Sequence, residues 1–522
     1  MGAACGKSSL SAKEDLLTSE HLQYKLVWSV HQRFDDLYEV VNVIGVGSTS
    51  KISKIKKRGD EESAQAGDAA DPTKYFALKE IDLTMVKKAE YLDELENEIE
   101  LLKGLDHPHI VRAYETHLHR NRIAAIVMEY CNGGDLSTIF TSSSRCCSEQ
   151  EVAVIIEQLL SAVAYLHDRN IVHRDLKLEN ILFVGGDRQK NLDIKVIDFG
   201  LAKKYLLQSD RHDEKCGTLY TMSPEVMQRN CSGSSTDLWS IGVIAYMLLS
   251  NGEKPFWGTN RKMIEEEVCT KDVTFEGPVW ENISSDAKNF ILTLLRKNPE
   301  ERPTAKEATK HTFIRNRKKL PKQVPSDKLL CDVPINMVRY ADCSDFKRIA
   351  MQVIASRSSS DEIFELRRVF AQYDKNMDGS LTFEEFKECL SQFNYTEKEV
   401  ESIFLRVEVN RTGRILYTEF LASTLEAQGK IAQNKISEAF HELDRESKGY
   451  INKEDLRNIM PAATSDKEMN NLMLDVSTNA KGYIFLDKFK RAVRDENNKK
   501  VSRLYDSKTK SHGFLQKLRF IS

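Results

Sequence analysis

The side chains that could carry out a reaction together lie near the middle of this 522-residue sequence. The segment HRDLKLEN, at residues 173–180, contains an aspartate, a lysine and an asparagine, and the segment IDFG follows it with Asp198. Phosphoryl transfer needs metal ligands, a cation for the phosphates and a carboxylate beside the acceptor hydroxyl. Asp175 is placed to orient the proton of such a hydroxyl, and Asn180 and Asp198 are placed to hold magnesium. His173 is better explained as a packed scaffold residue than as an acid or base.

Two segments nearer the N-terminus supply a covered phosphate site and its cation. In IGVGSTSKI, Gly45 and Gly47 lie on a predicted strand turn where backbone amides can approach phosphate oxygens, although Ser50 replaces a third glycine. In YFALK, Lys79 lies on an apolar strand and could hold phosphates, and Glu98 in the next predicted helix could pair with it. Alone, each feature is better explained as a hairpin turn, a surface lysine or a solvated glutamate. Their order relative to HRDLKLEN and IDFG gives them weight.

Residues 38–314 resemble the eukaryotic protein kinases, because further segments of that family follow in the same order. SPE at residues 223–225 stands where the family has APE, and Arg302 matches the family's partner of Glu225. The segment STDLWSIGV places Asp237 as the buried aspartate of the family. The resemblance implies a two-lobed α+β kinase fold that transfers the γ-phosphate of ATP to Ser or Thr in proteins.

The resemblance also implies roles for single residues. Lys177 is the Ser/Thr kinase pattern and would neutralise the γ-phosphate together with Thr218. Asp135 and Glu179 would receive basic substrate residues, unless they form only a solvated acidic rim. The implied catalytic residues are Asp175, Lys177, Asn180, Lys79 and Glu98, with magnesium on Asn180 and Asp198. The implied ATP-binding residues are Ile44, Gly45, Val46, Gly47, Ser48, Thr49, Ser50, Ile52, Lys79, Glu129 and Cys131.

Two further positions bear on control and on the nucleotide pocket. Kinases with an arginine before the catalytic aspartate, here Arg174, need an anion in the activation loop to bind that arginine. By resemblance, Glu214 occupies the position of a regulatory phosphothreonine, so a fixed carboxylate could partly replace a phosphate. The main control is then expected from another part of the chain. Met128 is expected as the gatekeeper before the hinge at residues 129–131.

The C-terminal part contains a fourfold repeat of a helix, a loop with a central glycine and a second helix. The first loop, DKNMDGSLTFEE at residues 374–385 (loop 1), matches the EF-hand calcium loop throughout. Gly379 supplies the sharp turn, and hard oxygen donors at this spacing favour calcium over softer metals. The predicted calcium ligands are Asp374, Asn376, Asp378, Ser380 through its carbonyl, Thr382 and Glu385.

The other three loops lose ligands and are predicted to bind calcium weakly or not at all. Loop 2, residues 408–419, has Leu416 at its ninth position. Loop 3, residues 444–455, has the cation Lys448 at a ligand position, and loop 4 ends in Lys488 where a glutamate is needed. We expect these units to persist as structural partners, because each keeps its apolar frame.

The segment CDVPINMVRYADCSDFKRIAMQVIAS, between the two parts, resembles the junction of the calcium-dependent protein kinases. Its apolar residues have roughly helical spacing and predict one amphipathic helix that a kinase cleft or a sensor groove could bury. These residues are Val338, Phe346, Ile349, Ala350, Val353 and Ile354. We hypothesise that the junction occludes the catalytic cleft without calcium and that calcium releases it. A passive spacer helix is the alternative.

The elements that must position these residues follow from hydrophobic periodicity. Short β-type runs at residues 38–44, 51–55 and 75–81 predict a small antiparallel sheet. Apolar residues in EQEVAVIIEQLLSAVAYLHDRN recur every three or four positions, which predicts a helix in a mainly helical second half of the first domain. The expected fold class is therefore an α+β two-lobed protein kinase fold followed by an all-α EF-hand domain.

Composition predicts where the domains end. The segment between the second and third β-type runs has few large apolar residues, so it is predicted to be disordered. A stretch rich in Lys, Pro and Ser at residues 318–334 predicts a linker. The predicted parts are a flexible N-terminus with acylation (1–37), a kinase domain (38–314) with a disordered insertion (56–74), a linker and autoinhibitory junction helix (315–358), four EF-hand units (359–497) and a basic C-terminal tail (498–522).

Charge and cysteine content bound the location and the partners. A net charge of -3 gives no general attraction to nucleic acid or anionic membranes. Ten scattered cysteines without a CxxC pair or secretory leader predict a reduced, cytoplasmic protein. Gly2 is placed for N-myristoylation and Cys5 for palmitoylation, although Gly6 replaces the usual Ser or Thr. The alternative is an unmodified tail. We expect a monomer that attaches peripherally to membranes if it is acylated.

Two other functions compete with a calcium-regulated Ser/Thr kinase. A kinase-fold scaffold with little catalysis would be favoured by loss of Asp175, Asp198 or Lys79, and none of these is lost. A calcium buffer is disfavoured, because one intact loop in four gives little capacity. The expected cofactors are ATP, Mg²⁺ and Ca²⁺, and the expected partners are protein substrates rather than nucleic acid.

Overall fold

The computed structural model describes most of the chain. The described residues are 28–30, 34–47, 50–58, 75–83, 89–119, 123–142, 147–185, 191–205, 217–229, 233–316, 325–429, 431–444, 446–460, 464–476 and 482–494. Several predictions lie outside these residues, namely those for Gly2, Cys5, Ser48, Thr49, Glu214, most of the insertion at 56–74 and the tail at 498–522.

Six strands form one sheet in the N-terminal lobe of the kinase domain. They are β1 (Trp28–Val30), β2 (Tyr38–Val46), β3 (Ser50–Lys57), β4 (Tyr75–Asp82), β5 (Ala113–His119) and β6 (Ile123–Glu129). Their order is β1-β5-β6-β4-β3-β2, with β1 parallel to β5 and the other neighbours antiparallel. Helix α1 (Phe34–Leu37) precedes β2, and helix α2 (Ala89–Gly104) follows β4. The three predicted β-type runs lie within β2, β3 and β4.

The predicted bounds of the flexible N-terminus (1–37) and of the disordered insertion (56–74) were each wrong at one end. The last part of the predicted flexible N-terminus is ordered, because β1 pairs with β5 and the Phe34 ring packs 6.4 Å from the His117 ring. The predicted insertion does not begin at residue 56, because β3 continues to Lys57. Lys57 is held by a contact with Glu442, far along the chain, which local composition does not reveal.

The C-terminal lobe is mainly helical, as predicted. Its helices are α3 (Thr138–Ser142), α4 (Glu149–Asp168), α5 (Pro224–Met227), α6 (Ser235–Leu249), α7 (Arg261–Thr270), α8 (Pro278–Glu281), α9 (Ser285–Leu294), α10 (Ala305–Ala308) and α11 (Thr312–Arg315). Four short strands, β7 (Ile171–Val172), β8 (Ile181–Phe183), β9 (Ile194–Val196) and β10 (Lys203–Lys204), pair as β7 with β10 and β8 with β9. A capping box between Ser148 and Glu151 starts α4, which with α6 forms the centre of the core.

The EF-hand region contains four helix-loop-helix units in two pairs. Its helices are α14 (Phe364–Tyr373), α15 (Phe383–Cys389), α16 (Glu397–Val407), α17 (Tyr417–Thr424), α18 (Gln433–Leu443), α19 (Lys453–Arg457), α20 (Asp466–Val476) and α21 (Leu486–Arg494). Short antiparallel strands join loops 1 and 2, and two others join loops 3 and 4. The first two are β11 (Ser380–Leu381) and β12 (Ile415–Leu416), and the second two are β13 (Tyr450–Ile451) and β14 (Ile484–Phe485). We call residues 364–494 the sensor.

The junction consists of two helices rather than the one predicted. Helix α12 (Asp327–Ala341) ends at Asp342, and Ser344 caps helix α13 (Asp345–Arg357) by accepting from the Lys347 amide. Both helices share one hydrophobic core with the sensor. Helix α12 also occupies part of the stretch predicted as linker, because its buried apolar face, including Val333, joins that core. We keep the name junction for α12 and α13.

Pro334 lies inside α12, where it cannot donate a backbone hydrogen bond to the Leu330 carbonyl. The Tyr373 hydroxyl at the end of α14 donates to that carbonyl at 3.1 Å. The carbonyl released by Pro334 is therefore satisfied by the sensor, which ties α12 to the residue before loop 1.

The predicted fold class is confirmed, with a two-lobed kinase domain followed by a helical EF-hand domain. Within the described residues, every helix is too short or too polar to cross a membrane.

Candidate active and calcium-binding sites

Lys79 on β4 and Glu98 on α2 meet because the helix packs against the sheet. The Lys79 Nζ atom lies 2.7 Å from Glu98 Oε1 and 3.1 Å from Asp198 Oδ1. Burial works against the charged ammonium, but Glu98 and Asp198 outweigh it and raise the pKa of Lys79. Lys79 is therefore a fixed cation facing the space where phosphates are predicted to bind.

Asp175 lies at the centre of a second polar cluster. Its carboxylate is 2.6 Å from Lys177 Nζ and accepts from the Thr218 hydroxyl at 2.7 Å. The Asn180 amide nitrogen donates to the same carboxylate at 3.1 Å, so its amide oxygen, the metal-ligating atom, is on the other side of the group. Lys177 also lies 3.2 Å from the Thr218 hydroxyl. The structure thus brings Asp175, Lys177, Asn180 and Thr218 together, four of the residues to which the sequence gave a role in phosphoryl transfer.

Buried scaffold contacts hold this cluster in place. Asp237 accepts from the backbone amides of His173 and Arg174 at 3.0 and 2.9 Å, immediately before Asp175. Gly217, with φ +104°, passes so close to the Arg174 carbonyl that a Cβ atom would lie 2.7 Å from it. This close approach places the neighbouring Thr218 against the Asp175 carboxylate.

The predicted pair between Arg302 and Glu225 is also formed. Two guanidinium nitrogens of Arg302 donate to the two carboxylate oxygens of Glu225 at 2.7 and 2.8 Å. Both side chains are buried, so the pair anchors the segment that leads from the active site into the helical lobe.

The described part of the glycine-rich turn is a β-hairpin between β2 and β3. Gly45 pairs with Ile52 across the hairpin, and the Gly47 amide donates to the Ser50 carbonyl at 2.7 Å. Val46, in the same turn, is 79% exposed.

The hinge follows β6, and the side chain of its first residue, Glu129, is buried in contacts within the protein. The Glu129 carboxylate is buried and lies 2.9 Å from Lys195 Nζ, and it accepts from the Ser360 hydroxyl of the C-terminal region. The Glu129 carboxylate is therefore bound within the protein, and the adenine contact predicted at this residue would fall to backbone groups of the hinge. Met128, the predicted gatekeeper, lies opposite Ala77 on the next strand.

The donor set fits magnesium and a nucleotide phosphate. The Asp198 side chain is 44% exposed and its pKa is lowered, because Lys79 outweighs the effect of burial. An ionised carboxylate and an asparagine amide oxygen are the hard oxygen donors that magnesium prefers. Asp198 and Asn180 would hold the metal, which would offset charge on the transferred phosphoryl group.

Loop 1 has the backbone arrangement of a calcium loop. Asp374 accepts from the amides of Asp378 and Gly379 at 3.1 and 2.8 Å, and Glu385 accepts from the Asn376 amide at 3.0 Å. Burial, with repulsion from Asp378 and Glu385, raises the pKa of Asp374 well above its ordinary value. A cluster of carboxylates that repel one another is suited to binding a divalent cation.

One cation already contacts the ligands of loop 1. The Arg414 guanidinium, from loop 2, contacts the Asp378 carboxylate. Among the described residues, no three Asp, Glu, His or Cys side chains converge closely enough to hold a metal without rearrangement. A calcium ion at Asp378 would meet a guanidinium that already contacts this carboxylate.

Loop 3 carries its own cation in the position of a ligand. Lys448 Nζ lies 2.8 Å from Asp455 and 3.4 Å from Glu446, two of the carboxylates that would otherwise ligate calcium. These contacts of Lys448 explain how loop 3 keeps its folded shape with an internal charge. In loop 2, burial raises the pKa of Glu419 to about 8.

The sensor and the junction dock on the kinase domain at the outer side of the sheet. Arg357, the last residue of α13, lies 3.3 Å from Glu115 on β5 and 3.0 Å from Glu442 on α18. Lys57 on β3 also contacts Glu442, so two cations and two carboxylates alternate in a cluster in which Arg357, Glu115 and Glu442 are buried and Lys57 is partly exposed. Arg112 donates to the backbone carbonyls at the end of α13 at 3.1 Å.

Other contacts reach the hinge and the helical lobe. Arg367 of α14 lies 2.9 Å from Asp193, and Thr418 of α17 donates through its amide and hydroxyl to Asp106 at 2.8 Å. Gly379 of loop 1, with φ +77°, packs so tightly that a Cβ atom there would overlap the His107 ring. The predicted calcium loop therefore lies directly on the kinase domain.

Occlusion of the catalytic cleft by the junction is not the arrangement seen in this structure. The apolar face of α13, including Phe346 and Ile349, is buried in the sensor core. The described polar contacts of the junction with the kinase domain are at Arg112 and Glu115, not at Asp175 or Asp198. The physical reason is that the sensor core offers this face a complete apolar environment.

The sequence analysis missed the docking residues Arg112, Arg357 and Ser360. Each is a polar residue without a motif, and its role depends on a partner 231 to 243 positions away. No signal in the local sequence marks them, because their contacts form only when the two domains meet.

A two-lobed domain with this active site, joined to paired EF-hands, defines a protein kinase with a built-in calcium-binding module. A protein kinase domain model matches residues 38–314, and a model of an EF-hand domain pair matches residues 363–425. The chain belongs to the calcium-dependent protein kinase family.

Curated relatives support this assignment over most of the chain. Calcium-dependent protein kinase 5 of Plasmodium falciparum (isolate 3D7) is 30% identical over 514 residues, which cover 93% of this chain and 84% of that protein. Calcium-dependent protein kinase 3 of Oryza sativa subsp. japonica is 29% identical over 83% of this chain and 78% of its own length. Calcium-dependent protein kinase 13 of Arabidopsis thaliana is 29% identical, covering 82% and 81%.

Proposed function

We propose that this chain is a calcium-regulated Ser/Thr protein kinase that transfers the γ-phosphoryl group of magnesium ATP to protein hydroxyls. The observation that carries the proposal is the Asp175 carboxylate, held between Lys177 and Thr218. In this position Asp175 orients the acceptor hydroxyl, and Lys177 stabilises charge on the transferred group. Lys79, fixed by Glu98, holds the remaining phosphates.

We propose substrates with basic residues near the Ser or Thr. Glu179 lies at the mouth of the active site and accepts from the Tyr220 hydroxyl at 2.6 Å, which fixes its carboxylate. Asp135 is the second carboxylate, held by the amide and hydroxyl of Ser137 at 2.8 and 2.5 Å. Two oriented carboxylates favour Lys or Arg in the bound peptide.

We propose that calcium acts through the position of the junction. Loop 1 packs on His107 of the kinase domain, while α13 is enclosed by the sensor. When the sensor encloses the junction, α13 is held away from the cleft. Calcium shifts the population of molecules toward this enclosed arrangement, and without calcium a larger fraction of molecules release the apolar face of α13, which then enters the cleft and inhibits the kinase.

We also propose that the protein is a cytoplasmic monomer with acyl groups on Gly2 and Cys5. The sequence MGAACGK supports acylation, because it places Gly2 and Cys5 for two acyl chains. Two chains give a stable peripheral attachment that one chain does not give.

The deciding experiment is transfer of phosphate from magnesium ATP to a basic Ser/Thr peptide, with micromolar calcium or with a chelator. We expect calcium to stimulate the rate in the natural chain and not in Asp374→Ala. Equal rates in calcium and chelator would leave the kinase but end calcium control. No transfer under any condition would favour a kinase-fold scaffold.

A further inference from the structure

Arg414 of loop 2 reaches across to the ligands of loop 1. Its guanidinium contacts Asp378 Oδ2, and its Nη1 atom lies 3.2 Å from the Ser380 hydroxyl. The other carboxylate oxygen of Asp378 accepts from the Ser380 amide and hydroxyl at 3.1 and 2.7 Å. Both oxygens of this predicted ligand are therefore held by protein donors.

The pairing of the two loops keeps Arg414 in place. Strands β11 and β12 align Ser380 with Leu416 and Leu381 with Ile415, so the residue before β12 lies beside loop 1. Arg414 is the seventh residue of loop 2, a position from which an EF-hand uses the backbone carbonyl. Its side chain is thus available to the neighbouring loop.

Loop 3 shows a contrasting use of an internal cation. Lys448 bridges carboxylates of its own loop, and its side chain is only 19% exposed. Arg414 is 42% exposed, whereas its partner Asp378 is 2% exposed. A half-exposed arginine can swing into solvent and leave the buried carboxylate to another cation, which the enclosed Lys448 cannot do as readily.

We propose that Arg414 is an internal counterion that competes with calcium for Asp378 and thereby sets the calcium concentration at which loop 1 fills. A guanidinium and a calcium ion cannot use the same carboxylate oxygen, and their like charges repel. The inference rests on the proposed function, because it takes loop 1 as the calcium site. Calcium must displace Arg414, so the affinity measured is lower than the intrinsic affinity of the loop.

The test is calcium titration of the full chain by isothermal calorimetry, with four proteins: the natural chain, Arg414→Gln, Arg414→Lys and Arg411→Gln. Arg411 is the matched control, because it lies in the same loop, is 75% exposed and is 3.8 Å from Glu468. We expect Arg414→Gln to bind calcium about tenfold more tightly and Arg411→Gln within about twofold of the natural chain. Arg414→Lys, which keeps the charge but loses the planar fork, should lie between them.

The outcomes separate this inference from the proposed function. If the natural chain binds calcium and Arg414→Gln binds no more tightly than Arg411→Gln, the competition is overturned. If the natural chain shows no binding, calcium control as proposed fails, and binding gained in Arg414→Gln alone would still support competition. No binding in either protein would overturn both. Thermal unfolding in chelator checks that all variants fold, and protection of the loop 1 amides from hydrogen exchange gives a second measure of filling.

Discussion

The guanidinium of Arg357 lies 3.3 Å from the carboxylate of Glu115, which joins the end of the junction to the kinase sheet. Both side chains are buried, and Glu442 of the sensor completes the contact on the other side of Arg357. The kinase domain and the sensor are therefore joined through buried charged side chains, each of which needs a partner of opposite charge from another part of the chain.

Replacement of Arg357 by Gln should separate the sensor from the kinase domain. The change leaves Glu115 and Glu442 buried with one cation fewer, and loss of one partner in such a cluster costs about 3–5 kcal/mol. Calorimetry should show a lower or divided unfolding transition, and small-angle scattering a larger radius. Arg261→Gln is the control, because Arg261 forms an exposed pair with Glu265 and should change stability by less than about 0.5 kcal/mol. Equal behaviour of the two variants would contradict the role given to Arg357.

Replacement of Asp175 by Asn should stop catalysis while the fold remains. The amide keeps the size of the side chain but cannot take a proton, so the rate of transfer should fall by about 10² to 10⁴. Single-turnover assays measure the rate, and a fluorescent nucleotide should bind as it does to the natural chain. A matched variant, Asp135→Asn, should raise the KM for a basic peptide and leave kcat nearly unchanged. A fully active Asp175→Asn enzyme would rule out the proposed chemistry.

Lys79→Met and Glu98→Gln should differ in severity. Lys79→Met removes the cation that faces the phosphates, whereas Glu98→Gln keeps Lys79 and loses only the charge that orients it. We expect the first change to lower kcat/KM by about 10² or more and the second by about tenfold. Steady-state kinetics with varied ATP tests this order. The reverse order would mean that Lys79 is not the phosphate-binding cation.

The stability of the kinase domain should fall below about pH 6.5 because of His109. Burial, with the nearby charges of Arg367 and Lys195, lowers the pKa of His109 to about 3. Between about pH 6.5 and pH 3, His109 takes up a proton in the unfolded chain but not in the folded chain. The contribution of neutral His109 to the free energy of unfolding is therefore fully present above about pH 6.5 and is lost as the pH drops toward 3, by about 1.4 kcal/mol per pH unit. Denaturant unfolding at several pH values measures the slope. His109→Gln should reduce it, whereas the exposed sensor residue His441, changed to Gln, should not.

Loop 1 should bind calcium and loop 3 should not. Glu385→Gln should remove a titratable calcium site, because it takes away the bidentate ligand of loop 1. Asp444→Asn in loop 3 should leave the number of calcium ions unchanged, because Lys448 already balances that loop's carboxylates. Equilibrium dialysis with radioactive calcium gives both numbers. Loss of a calcium ion in Asp444→Asn would show that Lys448 yields to the metal.

The catalytic residues were predictable because each lies in a short segment whose spacing fixes its surroundings. HRDLKLEN places Asp175, Lys177 and Asn180 within six positions, so local backbone geometry brings them together. Lys79 and Glu98 were predictable only in company with that segment. The first calcium loop was predictable for the same reason as HRDLKLEN.

The docking contacts were not predictable, because they depend on how two finished domains meet. The sequence around Ser360 gives no sign that its hydroxyl will contact Glu129 of the hinge. The break in the junction at residues 342–344 was also missed, because the apolar spacing continues across it while Ser344 starts a new helix. Local patterns predict elements well, but they do not specify which surface a charged side chain will meet.

The hydrogen bond from Tyr373 to the Leu330 carbonyl connects the junction to the helix that leads into loop 1. Tyr373 directly precedes Asp374, the first ligand of loop 1, and the carbonyl it satisfies is the one that Pro334 cannot reach. Any rotation of α14 as loop 1 fills or empties must carry this hydroxyl with it. If such a rotation broke this hydrogen bond, the Leu330 carbonyl would lose its donor, because Pro334 cannot supply one. A movement next to Asp374 would thereby destabilise α12 of the junction.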